Sequence, residues 1–462
     1  MSIRLTIIGA GPGGYVAAVR AAQRGARVTV IEEAEVGGVC LNMGCIPTKT
    51  LVSSAERLIH ARQAVDFGIE IPCEVGYNLS KIRERRDKVI STQVKGIRQL
   101  FKARGISLIP ARGFILSPDV VRAVQKDGTT QDIKSDRIII ATGSRPAALP
   151  GITFDSDRVM TSDEAVRLAD IPPRLLIIGA GVIGCEFAFI YRAFGSEVTM
   201  VEMVPHALST EDEEISGIIE RELKKAKIRL ITGAKVDAVE KAADGLLQAR
   251  LSTGESVCID KVLVSIGRVM NSSGIGLEAV GVQTGGRKEI IVNDRMETNV
   301  PGIYAVGDVT GKAMLAHAAS RQGLIAAENA LGGDERMDYS AIPAGIFTMP
   351  EVGSVGMRER DAAGRGIEIK VGRFQFRGLG KAHAMGEIVG MAKVIADAKS
   401  DRVLGMHICG AHATDLIHEG VIAIKKGVTA EELGGMIHAH PTLAEAVMEA
   451  AEDVHGISIH AL

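Results

Sequence analysis

Hydrophobic positions along the chain cluster in two stretches that share one order of events. Residues 9 to 32, GAGPGGYVAAVRAAQRGARVTVIE, and residues 179 to 202, GAGVIGCEFAFIYRAFGSEVTMVE, match at a constant offset of 170. Each follows an apolar strand, passes through G-x-G-x-x-G into an amphipathic helix ending at a glycine (Gly25, Gly195), and closes with a Val-rich strand tipped by an acid. The pattern predicts a duplicated βαβ unit. A second echo, RIIIATGSRP at 137–146 and KVLVSIGRVM at 261–270, sets a buried strand before a glycine turn in each copy and predicts the strand that closes each unit. The most apolar window, LLIIGAGVIGCEFAFIY at 175–191, is interrupted by glycines and carries Glu186, so it reads as strand, turn and helix rather than a membrane span.

A further apolar strand, NVPGIYAVGDVTG at 299–311, ends at Asp308, more than a hundred residues beyond the first unit. The second nucleotide-type domain is therefore expected as an insertion in the first. From about residue 339, starting YSAIPAGIFTMPEVGSVG, strands and amphipathic helices continue without nucleotide motifs. The predicted fold class is α/β, with two dinucleotide-binding Rossmann-like domains, the second inserted in the first, followed by a C-terminal α+β domain. Boundaries are expected at 1–146, 147–264, 265–338 and 339–462.

Within each unit the glycines have separate duties. Gly9 and Gly179 make the tight turn, Gly11 and Gly181 let backbone approach a pyrophosphate, and Gly14 and Gly184 bring helix against strand. Phosphates then rest at the positive end of the following helix. Glu32 and Glu202 each fall 23 residues after the first glycine, where a carboxylate accepts hydrogen bonds from ribose hydroxyls and repels a 2'-phosphate. Two dinucleotide sites in one chain point to electron transfer between a tightly held flavin and a nicotinamide. Asp308 is placed to hold the flavin's polyol chain.

Composition narrows the partners. A length of 462 residues with 46% hydrophobic content is enough for several cores, and a net charge of -2 with interspersed signs leaves no electrostatic footprint for nucleic acid or an anionic membrane. The six cysteines are too few and scattered for a secreted scaffold, and the N-terminus lacks signal-peptide features, so a cytoplasmic protein is expected.

Two of those cysteines stand apart. GGVCLNMGCIPTK at 37–49 places Cys40 and Cys45 just after the first unit. In a regular helix residues five apart are separated by about 7.5 Å of rise, beyond the roughly 7 Å limit for bridged Cα atoms, so a disulfide here needs a distorted helix. Gly44 and Pro47 supply the means. No second Cys or Cys/His pair is spaced to complete a zinc site, and a structural disulfide is disfavoured in a reducing compartment, so a reactive pair is the favoured reading and no metal is expected. Near the C-terminus, HAHPTLAEAV offers His438 and His440 as bases with Glu445 to orient one of them, and the pattern alone does not choose between the histidines. Cys73, Cys185, Cys258 and Cys409 read as packing residues.

In their order, GAGPGG, GGVCLNMGCIPTKT, ATGSRP, GAGVIGCEFA, YAVGDVTG, MLAHAAS and HAHPTLAEAVMEAA resemble the dihydrolipoamide dehydrogenase family of flavoprotein disulfide reductases over essentially the full length. The resemblance implies oxidation of protein-bound dihydrolipoamide, with electrons passing through a Cys40–Cys45 redox disulfide and FAD to NAD+. It makes Cys40 the interchange thiol, Cys45 the thiol facing the flavin, and His440 with Glu445 the base pair in preference to His438. It pairs Lys49 with Glu186 where the cofactor rings meet. It also assigns Gly113, Thr142, Gly143, Met314, Leu315, Ala316 and His317 to the flavin side and Val236 and Gly267 to the nicotinamide side. A homodimer is implied, with His440 serving the cysteines of the partner subunit. The implied partners are lipoyl domains of acyltransferase (E2) components or the glycine cleavage H protein.

Overall fold

The computed structural model describes residues 2–242 and 245–461. Its first sheet is parallel and built around β1 (Arg4–Ile8), whose Leu5, Ile7 and Ile8 are buried because the strand is covered on both faces. The order across the sheet is Ile303–Ala305, Arg137–Ile140, β1, β2 (Arg27–Glu32), Ser107–Pro110. Between β1 and β2 runs α1 (Pro12–Gln23), which starts with proline in its first turn, where the missing N–H costs nothing. The second sheet, also parallel, has the order Arg229–Ile231, Glu197–Val201, Arg174–Ile178, Lys261–Val264, Val159–Met160.

Duplication extends beyond the two glycine motifs. Each copy adds a three-stranded antiparallel sheet, from Arg112–Ser117 to Thr130–Lys134 in the first and from Val236–Lys241 to Ser256–Ile259 in the second. The loop after the acid docks alike in both: Gly37 N–H donates to Ala10 O, and Leu208 N–H donates to Ala180 O. Leu208 does so at φ 46°, a left-handed conformation that its counterpart Gly37 adopts without a side chain to accommodate. The segments after the two echoing strands, Ser144–Pro146 and Arg268–Met270, pair with each other and stitch the two domains together.

The strand Ile303–Ala305 returns to the first sheet, and the helix Ala316–Ala330 crosses α1 so closely that a Cβ on Gly323 would lie 2.3 Å from Gly13 O. Both come from chain beyond the second sheet, which makes the second domain an insertion in the first. The C-terminal domain is a five-stranded antiparallel sheet, Ala344–Ile346, Glu351–Gly356, Val403–Gly410, Met391–Asp397, Ile369–Gln375 in spatial order, with helix Glu445–Asp453 packed against its last two strands.

A buried cation fastens this domain to the inserted one. Lys393, 1% exposed, directs Nζ to Asp212 Oδ1 at 2.8 Å and Glu214 Oε2 at 2.5 Å, and also contacts Glu359. Asp212 itself caps helix Glu213–Lys225 by accepting from Glu214 N–H. Burial works to lower the Lys393 pKa, yet its three carboxylate partners hold it above the ordinary lysine value. Lys393→Met should cost about 3 kcal/mol, the low end for breaking a buried pair, since Glu214 and Glu359 can turn toward water while Asp212 cannot. Denaturant unfolding checks the value.

Candidate active site

The glycine motifs show what each site is shaped to receive. Built Cβ atoms on Gly9, Gly14, Gly179 and Gly184 would lie 2.0–2.6 Å from backbone oxygens, so these four glycines are required by the chain's own packing. Gly11 and Gly181 differ. Their φ values, -67° and -74°, suit any residue, and a Cβ would meet nothing nearer than 3.9 Å at Gly11 and nothing within 4 Å at Gly181. Neither conformation nor packing calls for glycine there, whereas a ligand backed against the main chain does. Both residues are helix N-caps without a side-chain cap, leaving the first N–H groups of α1 and of helix Val182–Ala193 free for an anionic group. Glu32 accepts from Ala10 N–H at 2.6 Å and Ala34 N–H at 2.9 Å, and Glu202 from Ala180 N–H at 2.7 Å and Val204 N–H at 3.1 Å. Each carboxylate is fixed at its strand tip with lone pairs remaining for ribose hydroxyls, so the residues present fit two dinucleotides.

The sulfur pair is reached through a break between two helices rather than the single distorted helix expected. Cys40 lies in α2 (Gly38–Asn42), the chain turns at Met43 and Gly44, and Cys45 opens α3 (Cys45–Arg62). A Cβ on Gly44 would come within 3.1 Å of Val39 O and 3.3 Å of Cys40 Cα, so the hydrogen on that carbon is what lets the two helix ends close up. Pro47 falls in the first turn of α3, where it starts the helix instead of distorting it. Asn42 anchors the segment by donating to Val36 O and Gly38 O. Both cysteines are free thiols, Cys40 half-buried and Cys45 exposed. The Cys40 thiol hydrogen-bonds to Cys45, which raises Cys40 and lowers Cys45 to about 7; for Cys45 the surrounding protein opposes the change and the Lys49 ammonium reinforces it.

Lys49, one turn along α3 from Cys45, donates to both oxygens of Glu186 at 2.7 and 2.8 Å. Glu186 sits on helix Val182–Ala193 of the inserted domain and its side chain is 4% exposed, so this pair crosses between domains close to the sulfurs. Among the residues expected on the flavin side, Asp308 accepts from Ser144 Oγ at 2.5 Å, and Arg268 Nε donates to the same Ser144 Oγ at 2.7 Å. Thr142 Oγ1 donates to Asn271 O, and Gly143 O accepts from Asn271 N–H. Met314 and Leu315 lead into helix Ala316–Ala330, whose N-terminus has no side-chain cap, and His317 bonds through Nε2 to Pro343 O of the C-terminal domain. Gly113 is packed against Ile8, where a Cβ would lie 2.7 Å from Ile8 Cγ2. Gly267 lies in the turn between the domains at φ 121°. Val236 turns its side chain into the apolar core of the inserted domain, 8% exposed, leaving backbone alone to face a ligand.

The two histidines separate cleanly. The His438 side chain is 9% exposed and bonded to Glu419 and Met436 O. The His440 ring is 77% exposed and bonds through Nδ1 to Glu445 Oε1 at 2.8 Å. Because the carboxylate only accepts, Nδ1 carries the proton and Nε2 presents its lone pair outward. Burial pushes Glu445 up, but the bonds from His440 and Thr442 N–H prevail and hold it below the ordinary carboxylate value.

Sequence reasoning missed Arg268, Ser144 and Asn271, which tie the two turns together; the parallel GSRP and GRVM segments were the available signal. It also missed Phe347, for which no local pattern exists.

A two-cysteine redox segment set between two dinucleotide cradles defines a class. Residues 3–323 match the model of the pyridine nucleotide-disulphide oxidoreductases and residues 342–451 that of their dimerisation domain, and the chain belongs to this family. It is 42% identical to dihydrolipoyl dehydrogenase of Thermus scotoductus, over 99% of this chain and 98% of the relative, and 41% identical to that of Bacillus subtilis over the same shares. Among solved structures it is similar to LpdA of Mycobacterium tuberculosis, with a TM-score of 0.91 and 29% identity over 97% of this chain and 99% of that one. A likeness to the flavoprotein disulfide reductase RclA of Escherichia coli has a TM-score of 0.87 and 26% identity, over 97% and 99% of the two chains. The cofactors are FAD and NAD.

Proposed function

We propose that this chain oxidises protein-bound dihydrolipoamide with NAD+ as acceptor. The observation that carries the reading is the placement of Cys40 and Cys45 across one helix break, with Lys49 beside the second sulfur. In the oxidised enzyme the two sulfurs share a disulfide. His440 Nε2 takes the proton of a substrate thiol, and the resulting thiolate attacks Cys40, breaking the Cys40–Cys45 bond and releasing Cys45 as thiolate. The Lys49 ammonium favours the charged form of Cys45 and so eases its departure. The second substrate thiol attacks the mixed disulfide, closes the lipoyl ring and frees Cys40; His440 passes its proton to the departing Cys40 and takes up the proton of the second thiol, so one substrate proton ends on each. Two electrons now reside on the cysteine pair, and the substrate has lost two. Bound FAD supplies the two-electron acceptor for this pair, and NAD+ the final hydride acceptor. Gly11, Glu32, Asp308 and the N-terminus of helix Ala316–Ala330 would hold the first, Gly181 and Glu202 the second.

The working unit in this reading is a homodimer in which His440 faces Cys40 of the partner subunit. Its supports are the dimerisation domain, an exposed His440 ring bonded to neither sulfur of its own chain among the described residues, and the uncovered side chains of Met436 and Ile437 shortly before it in the chain. Partners are lipoyl domains of acyltransferase components or the glycine cleavage H protein. Among the described residues no helix is long and apolar enough to cross a membrane, and the reading places the protein in the cytoplasm.

Steady-state formation of NADH from dihydrolipoamide is the direct test. Activity with NADP+ should be lower by about 100-fold or more, because Glu202 meets a 2'-phosphate with like charge. Equal efficiency with both acceptors would remove Glu202 from its assigned role.

A further inference from the structure

One contact at the Lys49–Glu186 pair comes from a domain that carries neither nucleotide motif. Phe347 follows the strand Ala344–Ile346 of the C-terminal domain. Its backbone N–H donates to Glu186 Oε1 at 3.0 Å, and its ring lies under the Lys49 ammonium, 4.5 Å from Nζ to the ring centre. One residue thus holds both charges, the anion through its main chain and the cation through its π face. We infer that Phe347 is a positioning residue that keeps the Lys49 ammonium directed at Cys45, so that assembly of the C-terminal domain onto the other two sets the state of the redox sulfur.

The physical case rests on where Lys49 could otherwise go. A lysine ammonium is a compact charge on a flexible stem, and the Lys49 side chain remains 29% exposed. Glu186 is nearly buried and fixed by Phe347 N–H, so it pins one side of the ammonium. The ring covers another side, excludes water and leaves the field of Lys49 less screened toward the sulfur. The charged and titratable groups acting most strongly on Cys45 are Cys40, Lys49 and Glu186, and Phe347 touches the latter two.

This inference depends on the reading that Lys49 serves Cys45, and the experiment separates the two. In flavin-loaded protein carrying Cys40→Ser, the pH dependence of the long-wavelength absorbance that the Cys45 thiolate gives against the flavin is followed. Phe347→Leu should raise the midpoint by about 0.5 pH unit, lowering the thiolate fraction roughly threefold below the midpoint. Phe347→Met should do the same, and Phe347→Tyr, which keeps the ring, should hold the parent midpoint. Thermal unfolding and flavin absorbance report on folding, and a residue that merely packs would move the first without moving the midpoint. If the ringless variants stay within about 0.1 pH unit of the parent while Lys49→Met shifts it, the Phe347 assignment is overturned alone. If Lys49→Met also leaves the midpoint in place, both readings are overturned.

Discussion

Serine at either Cys40 or Cys45 should cut NAD+-linked oxidation of dihydrolipoamide by at least about 10^4-fold, because each sulfur makes or breaks a covalent bond in every turnover. The two substitutions act through different losses. Cys40→Ser removes the atom the substrate attacks, whereas Cys45→Ser removes the leaving group beside Lys49 and, with it, the route onward for the electron pair. Neither change should disturb folding: Cys45 is exposed, Cys40 is half-buried, and serine fits the space of both. Flavin content and thermal unfolding should match the parent, so the loss reads as chemistry. Retention of even a tenth of the parent turnover by either variant would end the disulfide mechanism.

His440→Ala should lower kcat/KM for dihydrolipoamide about 10^3-fold, within the range for removing a general base. The ring is 77% exposed, so its truncation should hardly change stability. Residual activity should rise with pH, since substrate thiols ionise unaided as the solution becomes basic. Glu445→Gln should have a smaller effect, about 10-fold, because the base survives and the amide oxygen can still accept from Nδ1, while the negative charge that raises its basicity is lost. Glu445 contributes its bond above the unfolded carboxylate pKa and loses it as pH falls through its lowered folded value, so the pair stays intact across neutral pH. The variants can be compared by rapid-mixing measurement of enzyme reduction at several pH values. Parent-like reduction by His440→Ala would transfer the base to another group, and His438, enclosed and bonded to Glu419, is not free to replace it.

Much of this architecture was legible because its determinants are local. The offset of 170 between GAGPGG and GAGVIG exposes the duplicated unit, and the matching acids Glu32 and Glu202 do land on parallel strand tips beside their glycine turns. The late return of Ile303–Ala305 to the first sheet was legible too, since an apolar strand ending in an acid recurs more than a hundred residues beyond the first unit. The Cys40–Cys45 geometry was misjudged. Spacing alone suggested one distorted helix, but two helices meeting at Gly44 close the same distance without strain in either.

By itself, then, the chain's order of residues determined what repeats along it: strand and helix periods, glycines at helix starts, acids at strand ends and two cysteines among small neighbours. These depend on interactions within a few residues, which spacing can express. Tertiary structure alone decided which histidine turns outward, that Lys393 rather than a nucleotide motif fastens the inserted domain, and that Phe347 lies under Lys49 across nearly three hundred residues. The physical reason is that burial, screening and the direction of a charge are properties of surroundings assembled from distant segments, and no residue carries them before the domains have closed on one another.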